Sequence, residues 1–150
     1  MTHLKIGDKA PSFSALDQDG KQHTLNDYKG KKLVVFFYPK ANTPGCTAEA
    51  CDLRDNFERF QINNYALLGV SADSAKAQGK FKDKFEFPFP LLADEEKSVI
   101  NAFGVWGPKK FMGREFDGIH RTTFVIDENG VIEDVITQVK TKEHAAQILG

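Results

Sequence analysis

The sequence has two cysteines among 150 residues, one tryptophan, and no apolar run longer than Leu33 to Tyr38. Two cysteines cannot build the multi-bridge scaffold of a small secreted domain. The Leu33–Tyr38 run is far shorter than the ~20 residues a membrane helix needs. Met1 to Ser12 carries no apolar stretch, so no secretory signal is expected, and a soluble cytoplasmic protein is the default. Neither sign of charge is in excess: 20 Lys and Arg against 21 Asp and Glu leave a net charge of -1. That balance calls for neither nucleic acid nor a membrane surface as partner. There is no repeat, low-complexity tract or linker, so residues 1–150 read as a single domain with one sizeable core. Phenylalanine is what the chain has in quantity, 13 Phe against 3 Tyr. This points to a core of flat apolar rings and is silent on function.

Residues 12–24 alternate around Asp17-Gln18-Asp19-Gly20, the pattern of a short hairpin. Leu33 to Tyr38 suits a strand buried on both faces, ended by Pro39. Residues 44–62 read as one helix, with Thr43 as N-cap, Pro44 in the first turn, and Ala50, Leu53, Phe57 and Phe60 on one face. Tyr65 to Ala72 reads as a second buried strand, 74–85 as a helix, and Phe89 to Ala93 as a short strand. A helix is expected near Glu95 to Phe103, and an irregular loop from Gly104 to Gly118. Arg121 to Asp127 and Val131 to Gln138 flank Glu128-Asn129-Gly130 as a hairpin. A last helix begins near Thr141. The order β-β-β-α-β-α-β-α-β-β-α argues for an α/β chain with a mixed sheet flanked by helices.

Cys46 follows Thr43-Pro44-Gly45 directly after a buried strand, in the first turn of a helix. Free N–H groups and the helix dipole favour an anion there, which suits a thiolate. Gly45 lets a small ligand approach the backbone, and Thr43 places a hydroxyl nearby. Position 46 shares the face of Ala50 and Leu53, so the sulfur points toward the core. A buried structural cysteine would look the same. Ionisation alone is also a weak source of catalysis. An ordinary thiol is a few per cent ionised at neutral pH, so complete ionisation gains only about 30-fold, or ~2 kcal/mol. A catalytic site must therefore also stabilise charge on a leaving group.

Cys51 lies five residues on. Five helical residues rise ~7.5 Å and turn about 140° past a full circle, which puts the Cα atoms beyond the ~7 Å reach of a disulfide. A Cys46–Cys51 bond requires the first turn and a half of the helix to unwind. Three readings stay open: a helix cysteine with no redox role, a metal pair, and a redox pair that opens locally. Zinc wants four ligands at closer spacing, and His3, His23, His120 and His144 are scattered. The pair is not C-x-x-C, which weighs against a disulfide reductase.

The stretch YPKANTPGCTAEACDLRDNF (Tyr38 to Phe57) resembles the active-site segment of peroxiredoxins of the bacterioferritin comigratory protein, or peroxiredoxin Q, subfamily. The family pattern of Pro, three residues, Thr or Ser, two residues, Cys stands here as Pro39, Thr43 and Cys46. FGVWGPKKFMGREFDGIHRTTFVID (Phe103 to Asp127) is similar to the same subfamily. The resemblance implies a thioredoxin-like fold with an N-terminal β-hairpin extension. It implies Cys46 as the peroxidatic and Cys51 as the resolving cysteine, with Arg121 as active-site arginine and Pro39 as a shield. Thr43, Gly45, Cys46 and Arg121 would then form the substrate site. The implied activity is reduction of hydrogen peroxide and organic hydroperoxides to water and alcohols. It runs through a sulfenic acid and a Cys46–Cys51 disulfide recycled by thioredoxin. No metal or other cofactor is required. An in-chain resolving cysteine removes one need for a dimer, so a monomer is expected.

A redox relay that uses the same disulfide to signal peroxide is the competing class, and a metallochaperone a third. Trp106, Phe111 and Met112 read as loop packing, with an entrance or reductant-binding surface as the alternative. Glu49 and Arg54 read as a local helix pair, and Lys109-Lys110 as surface charge.

Overall fold

The computed structural model describes residues 2–150. The N-terminal hairpin forms as expected from β1 (Ser14–Leu16) and β2 (Gln22–Thr24). Asp17 closes its turn by accepting the N–H groups of Asp19 and Lys21. A short 3-10 turn (Leu25–Tyr28) leads to β3 (Lys32–Phe37), followed by α1 (Pro44–Asp55), α2 (Phe57–Ile62) and β4 (Tyr65–Ser71). Then come α3 (Ala75–Phe85), β5 (Leu91–Ala93), α4 (Ser98–Ala102), β6 (Trp106–Phe111) and β7 (Arg114–Ile119). The chain ends with β8 (Thr122–Ile126), β9 (Ile132–Ile136) and α5 (His144–Leu149).

The main sheet has the order β5-β4-β3-β8-β9. β3, β4 and β5 run parallel; β8 is antiparallel to β3, and β9 to β8. β3 is central, and Leu33 through Tyr38 are all buried, which is why this run shows no polar alternation. Its alternate side chains feed two cores. Leu33, Val35 and Phe37 pack with Phe103, Val105 and Phe124 on one face. Val34, Phe36 and Tyr38 pack with Phe81, Phe87 and Phe89 on the other, where Cys46, Ala50, Leu53 and Phe60 bring in the α1–α2 segment. The phenylalanines stack edge-on and offset, as the Phe36–Phe89 and Phe87–Phe89 pairs do.

Several boundaries differ from the sequence reading. The helix expected over 44–62 breaks at Asn56 (φ -108°, ψ 13°), whose Nδ2 donates to the Asp52 carbonyl. An amide side chain that bonds the local backbone competes with helical continuation. Phe60 stays buried because α2 resumes on the same face. The stretch from Gly104 to Gly118 is not an irregular loop. It contains the β6–β7 hairpin, with Trp106 paired to Ile119 and Phe111 to Arg114. Its turn residues Met112 (φ 52°) and Gly113 (φ 79°) are both left-handed, the geometry of a two-residue hairpin loop. Gly107, Pro108 and Gly118 hide these strands from a propensity reading, and a Met-Gly turn lacks the usual Asn or Asp. α4 is shorter than expected because Asp94 accepts from the Ser98 hydroxyl and the Ile100 N–H, fixing the chain before Ser98. β5 and α5 likewise begin later than expected, at Leu91 and His144.

Gly69 in β4 is a packing requirement. A Cβ there would lie 2.7 Å from Leu91 Cδ2 and 2.8 Å from Phe36 Cζ. Gly69→Ala is expected to cost about 1–3 kcal/mol through overpacking, read as a lower urea midpoint at unchanged m-value. An unchanged midpoint would contradict the close-packed β3–β5 aromatic layer.

Candidate active site

The chain leaves β3 at Phe37, crosses Pro39 and enters α1 at Pro44. Asn42 takes a left-handed conformation (φ 61°), and Thr43 an extended one (φ -94°, ψ 158°). This loop is tied down. Ala41 N–H donates to Asp73 Oδ2 (2.8 Å), which also accepts from the Ser71 hydroxyl (2.7 Å). Tyr38 beneath it donates to Gln78 Oε1 (2.6 Å). Thr43 occupies the N-cap position but does not cap. Its hydroxyl donates instead to the Lys40 carbonyl (2.8 Å).

Cys46 is the third residue of α1 and is 1% exposed, with its side chain in the second core. Arg121 meets it from 75 residues away: Nη2 donates to Cys46 Sγ at 3.4 Å. The sheet makes that meeting. β8 pairs antiparallel with β3 so that Thr122 lies opposite Phe37. Arg121, one residue earlier, emerges at the end of the sheet where β3 hands over to α1. Gly45 supplies the space, since a Cβ there would sit 3.1 Å from Arg121 Nη2. In this structure the room at Gly45 is thus used by the arginine.

Glu49 is not paired with Arg54. Arg54 bonds Asp55 and the Phe85 carbonyl, whereas Glu49 is fully buried and accepts from Arg121 Nη1 at 2.6 Å. Three residues after Cys46, it shares that residue's helix face. The signal was in the sequence: a carboxylate on the apolar stripe of Cys46, Ala50 and Leu53. Burial disfavours the charge of Arg121, but Glu49 and Cys46 beside it outweigh this and raise its pKa. Burial pushes the Glu49 carboxyl up to about 7 against the pull of Arg121.

Cys51 is a free, half-buried thiol on the intact α1, as Cys46 is a free buried one. Burial raises the Cys51 pKa, with Arg54 opposing the shift and Asp55 adding to it. Pro39 is half-buried at the start of the loop. Lys109 is no free surface charge: its Nζ donates to the Ile119 carbonyl (2.9 Å), and burial, then Arg121, lower its pKa. Lys110 is exposed. Trp106 packs on the first core under Lys97, but Phe111 (67% exposed) and Met112 (87%) lie at the hairpin tip, largely exposed and outside both cores. Among the described residues, no group of three or more His, Cys, Asp and Glu is placed to hold a metal.

The model of the AhpC/TSA family matches residues 6–135. The chain belongs to the AhpC/TSA family. It is 48% identical over 149 residues to peroxiredoxin Bcp of Escherichia coli (strain K12), covering 99% of this chain and 96% of that one. Peroxiredoxin Bcp of Bacillus subtilis (strain 168) is 47% identical over 146 residues, 97% and 93% of the two chains. A cysteine-to-serine variant of PrxQ from Xylella fastidiosa superposes with a TM-score of 0.92 at 34% identity, covering 99% and 95%. The bacterioferritin comigratory protein of Xanthomonas campestris, solved as trapped-intermediate and ligand complexes bearing on its alkyl peroxide reduction activity, gives 0.87 at 33%, covering 99% and 95%. These neighbours bear out the thioredoxin-like fold, and with it the mixed sheet flanked by helices that the AhpC/TSA chain was expected to form.

Glu49 has a measurable signature in this AhpC/TSA chain. A raised folded-state pKa contributes stability that is complete below the ordinary value of 4.5 and is lost as pH rises through about 7. Ionising Glu49 thus costs up to about 3 kcal/mol of stability over that window. Urea unfolding at pH 5 and pH 8 should show wild type losing more stability with rising pH than Glu49→Gln. Parallel losses in the two proteins would remove the buried-carboxylate argument.

Proposed function

We propose that Cys46 is the peroxidatic nucleophile of this thiol-dependent peroxidase, that Arg121 and Thr43 hold the peroxide, and that Cys51 resolves the oxidised sulfur. The observation that carries this reading is the Arg121 Nη2–Cys46 Sγ contact of 3.4 Å at the first turn of α1. It supplies what ionisation alone cannot: a fixed positive charge shared between the sulfur and the oxygens of a bound peroxide. The Thr43 hydroxyl has already given its proton to Lys40 O, so toward a peroxide it is an acceptor. It would take the peroxide's O–H while Arg121 donates to the oxygens. Pro39 sits at the entry of the tethered loop and screens the site from water.

In the cycle, the Cys46 thiolate attacks one peroxide oxygen and the O–O bond breaks. The sulfur becomes a sulfenic acid, and the leaving oxygen takes a proton to give water or an alcohol. The Cys51 thiolate then displaces hydroxide from that sulfur, forming the disulfide and, with a proton, water. A dithiol reductant of the thioredoxin type restores both thiols by exchange. The alkyl peroxide activity attributed to the Xanthomonas relative supports organic hydroperoxides alongside hydrogen peroxide. A reducing compartment such as the cytoplasm suits two free thiols. Among the described residues no helix is long and apolar enough to cross a membrane.

Cys51 requires the start of α1 to unwind, and contacts at Asp52 and Leu53 support a point where that unwinding would stop. Asp52 Oδ2 accepts the Ala145 N–H at 2.8 Å, and Leu53 is fully buried. Residues 44–51 would open while the rest of α1 stays docked, which takes Cys46, Glu49 and Ala50 out of their buried positions.

Cys46→Ser should reduce peroxide consumption supported by thioredoxin and its reductase to background; normal turnover would overturn the nucleophile assignment and leave the relay reading no better placed. Arg121→Met should lower the rate constant of Cys46 oxidation by about 10²–10³-fold with the fold intact by circular dichroism. Cys51→Ser should react once and accumulate sulfenic and sulfinic acid. In wild type, one equivalent of peroxide should give a Cys46–Cys51 bond by mass spectrometry together with a loss of ellipticity at 222 nm. An oxidised protein of unchanged helicity would contradict the unwinding step.

A further inference from the structure

The proposed cycle gives no part to His144, a fully buried ionisable group. His144 opens α5 beneath the sheet end that carries Arg121, and its Nε2 lies 3.4 Å from Glu49 Oε2. That Oε2 is buried and has no hydrogen-bond partner.

Hydrogen counting restricts what can lie between the two. Gln147 donates through Nε2 to the Gln138 carbonyl (2.9 Å) and accepts the Lys140 N–H at Oε1 (2.9 Å). Its amide orientation is therefore set by two backbone partners. Oε1 can only accept from His144 Nδ1 (2.8 Å), so Nδ1 carries hydrogen. A neutral His144 then has its lone pair at Nε2, where the Thr123 hydroxyl donates at 2.7 Å. An ionised Glu49 would bring a second set of lone pairs against that nitrogen. One added proton removes the conflict, on Nε2 facing the carboxylate with the Thr123 oxygen then accepting, or on Oε2 facing the imidazole with the Thr123 hydrogen turned away. The charged groups that face His144 are Glu49 and Asp52 from α1 and Arg121 from the approach to β8; its own helix offers only neutral Gln147. Burial acts on both partners, raising Glu49 and lowering His144, so each favours its uncharged form.

We propose that His144 is a positioning residue for the peroxide reaction: it shares one buried proton with Glu49, and that proton governs how Glu49 holds the Arg121 guanidinium against Cys46. This rests on the roles assigned above to Arg121 and Cys46. With one proton on the pair, Oε1 remains the acceptor for Nη1. With one proton the pair is neutral overall; with two it carries a net positive charge facing Arg121, so the guanidinium is pushed from its place beside Oε1 and Cys46 reactivity falls on the acid side.

The test is the rate constant for Cys46 oxidation by hydrogen peroxide between pH 5 and 9, measured by stopped flow on the full chain. Wild type, His144→Gln, Glu49→Gln and the double variant are compared. Wild type should show an acid-limb ionisation beyond that of the thiol, and His144→Gln should lack it. At neutral pH each single variant should be slower by roughly tenfold, and the double variant no slower than the worse single one. A wild-type pH profile in His144→Gln, or additive losses in the double variant, would overturn the proposal and leave His144 a packing residue. If the variants fail to fold, wild type alone decides by nitrogen-15 shifts of the imidazole. Nδ1 must be protonated at every pH, and an Nε2–H tautomer with bare Nδ1 would overturn the proposal. The reading on which it rests fails separately, through a reactive Cys46→Ser protein.

Discussion

The site depends on one partly buried charge arrangement: the Arg121 guanidinium lies between the Cys46 sulfur and the Glu49 carboxylate. A guanidinium taken from water needs anionic or strongly accepting partners, or its burial costs several kcal/mol. A single helical turn meets that need, because residues 46 and 49 lie on one face of α1. The helix start contributes free N–H groups to the same point. Gly45 leaves the clearance that lets the guanidinium reach the sulfur. Three local features therefore converge on one ionic contact, and the fold's part is to deliver the arginine.

The arrangement works against the last step of the proposed cycle. The turns that hold Cys46 against Arg121 are the ones that must open for Cys51 to reach it. Opening them separates Glu49 from Arg121 and leaves a partly buried cation without its partner, which favours an intact helix as the resting state. Oxidation changes the balance. A sulfenic acid is neutral, so the attraction between Arg121 and the sulfur weakens once the first reaction has occurred. The Asp52–Ala145 bond and Leu53 would then confine the proposed opening to the segment that carries both cysteines. In the proposed cycle, substrate turnover would itself loosen the helix, and the packed remainder of α1 would restore it.

Much of this was legible in the chain. β3 and β4 showed as unbroken apolar runs because they are buried on both faces, and the apolar stripe from Cys46 in α1 to Phe60 in α2 held despite the break at Asn56. Thr43-Pro44-Gly45-Cys46 marked a helix start, and the family resemblance pointed to Arg121. Other features were hidden. The β6–β7 hairpin carries Gly, Pro and a Met-Gly turn, so its strands are stabilised by pairing with each other rather than by local preference. Glu49 carried a signal, a carboxylate on the apolar stripe, but its partner was hidden: helix spacing offered Arg54, and burial picked Arg121.

What the sequence by itself determined is local: where the strands and helices lie, which cysteine opens a helix, and how far along the second one falls. Those follow from side-chain periodicity and chain stereochemistry over a few residues. Only the tertiary structure decided that Arg121 reaches Cys46, that Glu49 rather than a solvent ion balances it, and that His144 closes the far side of the pair. These are contacts between residues some 70 or more positions apart along the chain, or across helices with no local preference for each other. They exist because β8 pairs antiparallel with β3 and because burial leaves each charge no partner but the one facing it.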